Sequence, residues 1–433
     1  MTNQPAPLLH CAASGALELL NQQCFCLSLD KAALRASLHQ ELGTPELSAM
    51  VQERCPYLFA SQPIFVPALQ IGRMAQVVQA VESVVAMPAY REFVLARTPA
   101  VAQFASTGPL GVFFGYDFHL SDGHLGLIEI NTNAGGAMLN AVMARAHRAC
   151  CADLGAMAPS LAEIEGFEKA MVDMFRHEWL LAGRPTPLKT IAIVDSSPQD
   201  QYLYPEFLLF QQLFKRHGIH AVIADPSELE WRNGALHYGS LVVDLAYNRL
   251  TDFYLEQPDS AALREAYLHQ GVVLTPHPQA HALYADKRRL ALLSDAVQLE
   301  SLGVPQDIQK ILLDHIPRTQ IVKAVDEQRL WAARRSLFFK PVAGFGSRAA
   351  YRGDKLTKGV WQDILAGDYV AQAIVKPGGR STGEVNLPVP MKFDLRAYAY
   401  NAYVQWLSAR VYQGQTTNFR TLGGGFAPVY TTP

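Results

Sequence analysis

The sequence predicts a mixed α/β protein in which a helical N-terminal region and a small parallel α/β domain accompany a larger α+β part. Three observations lead to this fold class. Residues before about 110 have mainly helical patterns, residues 187–280 alternate short apolar strands with helices, and hairpin patterns occur over 111–131 and 394–410. A chain of 433 residues is too long for one ordinary core, so two or three lobes are expected.

Composition and charge restrict the class of partner. Hydrophobic residues make up 49% of the chain, charged residues 18%, and the net charge is −2 with no basic tract. A nucleic-acid partner is therefore not expected. The N-terminus lacks a signal-peptide pattern, and no run of about 18 apolar residues is present. We expect a cytoplasmic protein that has no membrane partner.

The cysteines fit neither a zinc site nor a dense disulfide framework. All six lie within the first 151 residues, and their spacing matches no standard ligand pattern. Reduced thiols, partly in the core, are the expectation. The residues are Cys11, Cys24, Cys26, Cys55, Cys150 and Cys151.

The N-terminal region leads into a predicted hairpin. Residues 74–84 and 160–181 carry apolar side chains at helical spacing, and Ser160 with Glu163 has the spacing of a capping box. Residues 111–120 and 125–131 read as strands on either side of a turn at 121–124. The segment 133–136 then leads into a helix that ends near residue 146.

The middle of the chain predicts a small parallel sheet. A linker at 184–187 precedes strand patterns at 190–195, 218–225, 240–249 and 271–276, with a helix over 206–217. Strands that alternate with helices are typical of parallel α/β domains.

The C-terminal part predicts a helix followed by antiparallel strands. The helix covers 286–295. Strands are expected over 337–342, 349–352 and 369–375, and a long hairpin over 394–410 turns at residues 401–402. A loop at 343–348 joins the first two strands.

Three oxygen-bearing side chains converge on the first hairpin. Glu129 and Asn131 are two residues apart on one strand, so both point to the same face, and Asp117 lies on the partner strand. Such hard oxygen ligands suit Mg²⁺, which takes few ligands from protein. The alternative is a solvated hairpin face. The apolar neighbours disfavour it, because they would place unpaired acidic groups beside buried surface.

An aspartate on one strand followed by Glu-x-Asn on the next resembles the metal motif of the ATP-grasp ligases. In most of that family the motif comes last in the chain, whereas here it comes first. This order is similar to the circularly permuted branch that includes eukaryotic glutathione synthetase. The resemblance covers residues 110–148 and 283–428. It implies a permuted ATP-grasp fold that uses ATP and Mg²⁺, with Asp117, Glu129 and Asn131 as metal ligands.

The resemblance also implies a nucleotide site in the C-terminal part. Lysines for the phosphates would be Lys287 and Lys340. A phosphate loop would contain Gly344, Gly346 and Ser347, although an ordinary turn is the alternative for these three. The loop lacks the glutamate ligand of eukaryotic glutathione synthetase, which is why Asp117 receives the third ligand role. The remaining implied residues are Gln372, Ile374 and Val375 at the adenine hinge, Glu384 at the ribose, and Asn418 beyond it.

Two arginines complete the implied site. Arg396 and Arg410 resemble paired family positions that line the site, and Arg410 would neutralise charge on the transferring phosphoryl group. Taken singly, each arginine has the alternative of a surface ion pair.

Substrate residues are sought at the carboxyl ends of the parallel strands. Ser196, Gln199 and Gln201 follow the first of these strands, and Arg249 follows the third. Arg249 is suited to gripping a substrate carboxylate in a bidentate way. Polar loops with one ion-paired arginine are the alternative. Glu206 is expected on a helix surface, and His119, His277 and His281 are expected to be structural.

The predicted divisions are 1–185 for the helical region with the metal-binding part, 186–282 for the substrate domain, and 283–433 for the ATP-binding lobes. The resemblance implies a carboxylate–amine ligase that forms an amide or peptide bond through an acyl phosphate. A phosphotransferase on the same fold and a nucleotide-binding protein without turnover remain alternatives. Analogy with the permuted relatives suggests small-molecule or peptide substrates and a homodimer.

Overall fold

The computed structural model describes residues 14–25, 28–104, 108–148, 156–344, 349–384 and 387–432. The α-helices are α1 Ser14–Gln23, α2 Lys31–Leu42, α3 Pro45–Arg54, α4 Ala68–Val85, α5 Pro88–Leu95, α6 Ala100–Gln103, α7 Ala137–Ala146, α8 Leu161–Leu181, α9 Tyr204–Arg216, α10 Ala261–Leu268, α11 Pro278–Ala280, α12 Arg288–Leu293, α13 Ala296–Ser301, α14 Gln306–His315, α15 Glu327–Ala333 and α16 Lys358–Ala366. The strands in the first two-thirds are β1 Ser28–Leu29, β2 Ile64–Pro67, β3 Phe114–Ser121, β4 His124–Asn131, β5 His147–Arg148, β6 Thr190–Val194, β7 His220–Ala224, β8 Leu229–Arg232, β9 Ala235–Tyr238, β10 Leu241–Val243, β11 Leu245–Asn248 and β12 Val273–Thr275. The remaining strands are β13 Thr319–Ile321, β14 Leu337–Pro341, β15 Tyr351–Arg352, β16 Tyr369–Ala373, β17 Gly378–Glu384, β18 Leu387–Tyr400, β19 Tyr403–Tyr412 and β20 Gly425–Thr432.

The largest sheet joins the two ends of the chain. Its strand order is β2-β20-β19-β18-β3-β4, and β17 pairs with the first part of β18. The predicted hairpins are confirmed as β3–β4 and β18–β19. The second turns at Asn401 and Ala402, which have φ values of 49° and 66°. Strand β2 pairs in parallel with β20, a long-range pairing that the helical reading of the first 110 residues missed.

One face of this sheet is apolar and packs against α4. Val77, Val78 and Val81 of α4 belong to the same buried cluster as Phe118 of β3 and Leu395 of β18. Because neighbouring residues of a strand point to opposite faces, the intervening polar residues lie on the other face of the sheet. The site described below lies on that polar face.

A smaller antiparallel sheet, built from strands of the C-terminal part of the chain, faces the polar face of the large sheet. Its order is β13-β16-β14-β15. Phe339 and Ala371 pack with Trp361 and Ile364 of α16 in a separate buried cluster. The lysine and the hinge predicted from β14 and β16 are therefore carried by a sheet that has its own core.

The middle of the chain forms the predicted parallel sheet, in the order β12-β11-β6-β7. The single strand expected over 240–249 is wrong. It divides into β10, which pairs antiparallel with β9, and β11, which pairs in parallel with β6. Asp244 lies between them, and its carboxylate accepts the N–H groups of Lys189 and Thr190 at 3.0 and 2.9 Å. The domain boundaries stay a prediction.

Helix α8 begins at the predicted capping box, in which the Ser160 and Glu163 side chains bond each other's backbone N–H groups. Among the described residues, no helix combines the length and the apolar character needed to cross a bilayer.

Glu178 of α8 joins three parts of the molecule. Its fully buried carboxylate accepts the N–H groups of Leu110 and Gly111 at 2.9 and 3.0 Å, ahead of β3. It also accepts the Thr275 hydroxyl at 2.7 Å and the Tyr400 hydroxyl at 2.8 Å. One carboxylate therefore ties the parallel sheet and the large sheet to the helical region.

We expect Glu178→Gln to lower the free energy of unfolding by about 3 kcal/mol, because an amide nitrogen cannot accept the bonds of a buried carboxylate. Urea denaturation followed by circular dichroism measures the change. Glu165→Gln, at an exposed position of the same helix, is the matched control and should leave the unfolding midpoint in place. Equal midpoints for the two variants would show that the junction does not depend on this carboxylate.

Candidate functional site

A cavity of about 780 Å³ lies between the polar face of the large sheet and the smaller antiparallel sheet. Strands of both sheets and the segment 415–420 line it. The lining residues are His119, Ile128, Glu129, Asn131, Tyr202, Lys287, Phe338, Lys340, Pro341, Gly344, Ala350, Gln372, Ala373, Ile374, Val375, Asp394, Arg396, Arg410, Tyr412, Gln415, Thr416, Thr417, Asn418, Phe419 and Arg420.

A β-bulge in β4 brings Glu129 and Asn131 to this cavity. Leu127 pairs with Phe118 and Glu129 pairs with Asp117, so Ile128 is an extra residue in β4. Leu125 and Leu127 lie in the core, and without the extra residue Glu129 would point there too. After the bulge, the odd-numbered residues of β4 face the cavity instead of the core. The bulge also frees the Ile128 carbonyl, which accepts a hydrogen bond from the Lys340 ammonium at 2.9 Å.

Two lysines face the hairpin carboxylate. The Lys287 ammonium lies 3.1 Å from a carboxylate oxygen of Glu129 and donates to the Gly344 carbonyl at 2.6 Å. Burial raises the pKa of Glu129, but Lys287 and Lys340 outweigh burial and the net shift is downward. Glu129 is therefore ionised at neutral pH.

Lys340 has lost most of its contact with water. Its ammonium donates to the Ile128 carbonyl and to the side-chain oxygen of Gln372, both at 2.9 Å. Burial lowers the pKa of Lys340 to about 8, against the opposing attraction of Glu129. The lysine is held in a fixed position and is close to its titration range at physiological pH.

Asp117 is the centre of a buried ion network. Arg396 binds its two oxygens at 2.6 and 2.7 Å, and Arg410 binds one of them at 2.8 Å. Arg410 also lies 2.7 Å from Asp394, which accepts a further bond from the Thr417 hydroxyl. The network is two carboxylates and two guanidinium groups, and both arginines line the cavity while Asp117 does not.

Asn131 connects this network to the cavity. Its amide nitrogen donates to Asp117 at 3.0 Å, which leaves the amide oxygen for a ligand. The metal-ligand role predicted for Asp117 stays a prediction. Its oxygens already accept bonds from Arg396, Arg410 and Asn131, so a cation there would have to displace a donor.

The hinge segment, residues 374–377, follows β16 and overlaps the adenine hinge predicted at 372–375, whose role stays a prediction. The Ile374 N–H is bonded to the Ser336 carbonyl at 3.0 Å, and the Val375 carbonyl lies 2.7 Å from Nδ1 of His119. Within the described part of the chain, the Ile374 carbonyl and the N–H groups of Val375 and Lys376 have no hydrogen-bond partner. Ile374 and Val375 line the cavity, so the Ile374 carbonyl and the Val375 N–H are available to the edge of a planar ligand.

Other predicted nucleotide residues differ in their placement. Gln372 is buried behind Lys340 and also bonds Thr319 at 3.1 Å. The Asn418 amide bonds groups of its own loop, including the Gln413 carbonyl at 2.8 Å and the Arg420 N–H at 3.0 Å. Gly346, Ser347 and the Glu384 side chain lie outside the described residues.

The predicted substrate residues do not line the cavity. Arg249 is buried and donates to the carbonyls of Asn133 and Ala134, both at 2.9 Å. The Gln201 amide bonds the Ser196 carbonyl at 2.6 Å, and the Gln199 carbonyl accepts a bond from Arg54. Substrate roles for Gln199, Gln201 and Arg249 stay predictions.

Glu206 corrects the sequence prediction of a surface group. It is 1% exposed and accepts the Gly136 N–H at 2.8 Å and the Met138 N–H at 3.2 Å. A Cβ at Gly135 would lie 2.4 Å from a Leu203 methyl group and 2.7 Å from the Arg249 guanidinium, so a larger residue there would displace these side chains. Glu206 and Arg249 thus hold the loop between β4 and α7 that carries the chain away from Asn131.

No sequence pattern pointed to two aromatic residues that line the cavity, Tyr202 and Phe419. Tyr202 and Phe419 lie with their ring centroids 5.7 Å apart and their planes at 28°. Tyr202 belongs to the parallel α/β domain, whereas Phe419 lies in the segment 415–420. Their contact depends on the tertiary arrangement, which no local pattern encodes.

The donor set fits a nucleotide with Mg²⁺. Glu129 and Asn131 offer two hard oxygens, which suits an ion that takes its other ligands from phosphates and water. Within the described ranges, no group of three or more His, Cys, Asp or Glu side chains is arranged as a complete metal site. Lys287, Lys340 and the two arginines bring positive charge to the cavity wall, which suits phosphates, and Ile374 and Val375 of the hinge line the same cavity.

No protein-family model matches the chain, and no curated protein matches it. Among solved structures, a glutathione synthetase-like effector from Globodera pallida is 13% identical, with a TM-score of 0.55, over 89% of this chain and 96% of that one. D-alanyl-alanine synthetase A from Vibrio cholerae is 10% identical, with a TM-score of 0.31, over 53% and 69%. The ATP-grasp ligase PsnB, complexed with Mg and ADP, is 14% identical, with a TM-score of 0.30, over 55% and 88%. The first of these similarities shows a shared fold.

Proposed function

We propose that this chain, which has the ATP-grasp fold, is an ATP- and Mg²⁺-dependent ligase that joins a carboxylate to an amine. One observation carries the proposal. The same cavity brings the oxygens of Glu129 and Asn131 to the ammonium groups of Lys287 and Lys340, and hinge residues Ile374 and Val375 form part of its wall. The order of these elements along the chain supports a circularly permuted version of the fold, since the metal hairpin precedes both lysines.

In this mechanism the two lysines bind nucleotide phosphates as point charges, while the hinge binds the base. A carboxylate oxygen of the donor attacks the γ-phosphorus of ATP and ADP leaves, which gives an acyl phosphate. The amine then attacks the acyl carbon, loses a proton, and phosphate leaves. Mg²⁺, when held by Glu129 and Asn131, neutralises phosphate charge.

Arg396 and Arg410 have the transition-state role in this proposal. Both guanidinium groups are fixed before any ligand arrives, because Asp117 and Asp394 hold them through bonds of 2.6 to 2.8 Å. Preorganised charge of this kind stabilises negative charge that develops during phosphoryl transfer. Exclusion of water from the cavity would protect the acyl phosphate from hydrolysis.

The reaction product distinguishes the proposed ligase from two alternative functions. A phosphotransferase on the same fold would end at a stable phosphate ester, and a nucleotide-binding protein without turnover would consume no ATP. The test is release of ADP and phosphate in the presence of pooled amino acids, peptides and polyamines, with mass spectrometry of the products. An amide with stoichiometric ADP supports the ligase, and a phosphorylated product contradicts it.

The pH dependence of ATP use tests the role of Lys340. Because burial lowers the pKa of Lys340 to about 8, the lysine loses its positive charge as the pH rises above that value. We expect kcat/KM for ATP to fall above pH 8, since this ratio reports ionisations of the free enzyme. Lys340→Arg should move the decline out of the measurable range, because arginine keeps its charge. If kcat/KM falls above pH 8 in the same way in both proteins, the decline belongs to a group other than Lys340.

A further inference from the structure

The hinge residue Val375 contacts one cross-strand pair of the β3–β4 hairpin. His119 of β3 and Gly126 of β4 are register partners. Nδ1 of His119 lies 2.7 Å from the Val375 carbonyl, and a Cβ at Gly126 would lie 2.8 Å from a Val375 methyl group. Both strands of the hairpin therefore contact the same hinge residue, one through a hydrogen bond and the other through close packing.

The hydrogen bond fixes the tautomer of His119. A carbonyl oxygen can only accept, so the proton lies on Nδ1 and His119 donates to Val375. The Val375–Lys376 peptide is planar and trans, which places the Lys376 N–H on the side opposite the Val375 carbonyl. The hydrogen bond from His119 therefore sets the directions of both the Val375 carbonyl and the Lys376 N–H.

Base selection depends on which groups the hinge presents. Adenine carries an exocyclic amine that donates, whereas guanine carries a carbonyl at the same position that accepts. With the Val375 carbonyl bonded to His119, the Ile374 carbonyl and the N–H groups of Val375 and Lys376 have no partner among the residues that the structure describes. Rotation of the Val375–Lys376 peptide would exchange donor and acceptor, and with them the preferred base.

We propose that His119 is the positioning residue that gives this site its preference for adenine over guanine, by locking the hinge peptide through the Val375 carbonyl. The proposal rests on the nucleotide site of the proposed function. His119 acts through the hinge and takes no part in the chemical steps.

Affinities of the full-length chain for Mg·ATP and Mg·GTP, measured by calorimetry, test the proposal. His119→Phe keeps a ring of similar shape but removes the donor. It should weaken ATP binding about tenfold and GTP binding by less than about threefold, which is the size expected for one lost hydrogen bond at an unpaired carbonyl. His119→Asn places an amide N–H near the position of Nδ1 and should restore most of the ATP preference.

Two further variants keep the test decisive. His124→Phe, at an exposed position of the same hairpin, should bind both nucleotides as the unmodified chain does. Gly126→Ala keeps the donor but displaces Val375, so it should also reduce ATP affinity. In a turnover assay, His119→Phe should raise KM for ATP and leave kcat within about threefold, since in the proposed function the hinge contacts the base and not the transferring phosphoryl group.

The proposal is overturned if His119→Phe binds ATP as tightly as the unmodified chain, or if ATP and GTP affinities fall by the same factor. A failure of the Asn variant to recover ATP preference would also contradict it. If the unmodified chain binds neither nucleotide, the proposed function itself is wrong, and that result is evident without any variant.

Discussion

Glu129→Ala is expected to reduce ATP turnover by about 100- to 1000-fold or more, while the protein remains folded. Glu129 faces the cavity, its carboxylate lies 3.1 Å from Lys287, and Asn131 follows on the same face. In the proposed function, removal of the carboxylate deletes one of two hard-oxygen ligands for Mg²⁺ and leaves Lys287 without the Glu129 charge. Phosphate release under saturating ATP measures the loss.

Two controls separate this effect from damage to the hairpin. Glu129→Gln keeps the volume of the side chain but not its charge, and should be nearly as inactive as the alanine variant. Asp122→Asn changes an exposed carboxylate in the turn of the same hairpin, where asparagine tolerates the positive φ of 53°. Turnover in Glu129→Ala at the rate of the unmodified chain would contradict the site assignment.

Asp117→Asn is expected to cost about 3–5 kcal/mol of stability, the range for removal of one partner from a buried ion pair. Asp117 is 1% exposed and contacts both Arg396 and Arg410. Asparagine would remove the carboxylate that pairs with Arg396 and would leave Asp394 to pair with Arg410. Chemical denaturation measures the change. Asp173→Asn, which alters an exposed pair with Lys169 and Arg176, should leave the midpoint nearly unchanged.

The loss of stability in Asp117→Asn should depend on pH. Burial raises the pKa of Asp117, but Arg396 and Arg410 outweigh burial and hold the pKa below its usual value. A lowered pKa in the folded state contributes stability above the unfolded value of about 3.9, and this contribution is lost as the pH falls through the folded pKa. The stability gap between the unmodified chain and Asp117→Asn should therefore narrow in strong acid. A gap that stays constant between pH 7 and pH 3 would mean that the carboxylate charge contributes nothing.

Local sequence patterns predicted the elements that bear the site. The hairpin of β3 and β4 follows from two apolar runs around a turn, and the parallel sheet follows from strands that alternate with a helix. The capping box of α8 is a spacing of three residues and needs no tertiary information. Glu129 and Asn131 were placed on one face because they are two residues apart.

Long-range pairing decided what the patterns could not. Glu206 was predicted on a helix surface, yet it is buried because the loop between β4 and α7 presents two N–H groups to it. Arg249 follows a strand end, as ligand-binding residues often do, but carbonyls of that same loop occupy it. Strand β2 pairs with β20 across the whole chain, and nothing within residues 64–67 encodes its partner.

The sequence by itself determined the types of residue and their order: two lysines, two arginines and an acidic hairpin that comes before them. The tertiary structure decided which of their atoms face the cavity. The bulge at Ile128 turns Glu129 away from the core, and the strand register places Asp117 opposite Arg396. Such choices depend on hydrogen bonds and ion pairs between residues as far apart as Asp117 and Arg396. Their energies exist only once the strands are adjacent, so no local pattern can contain them.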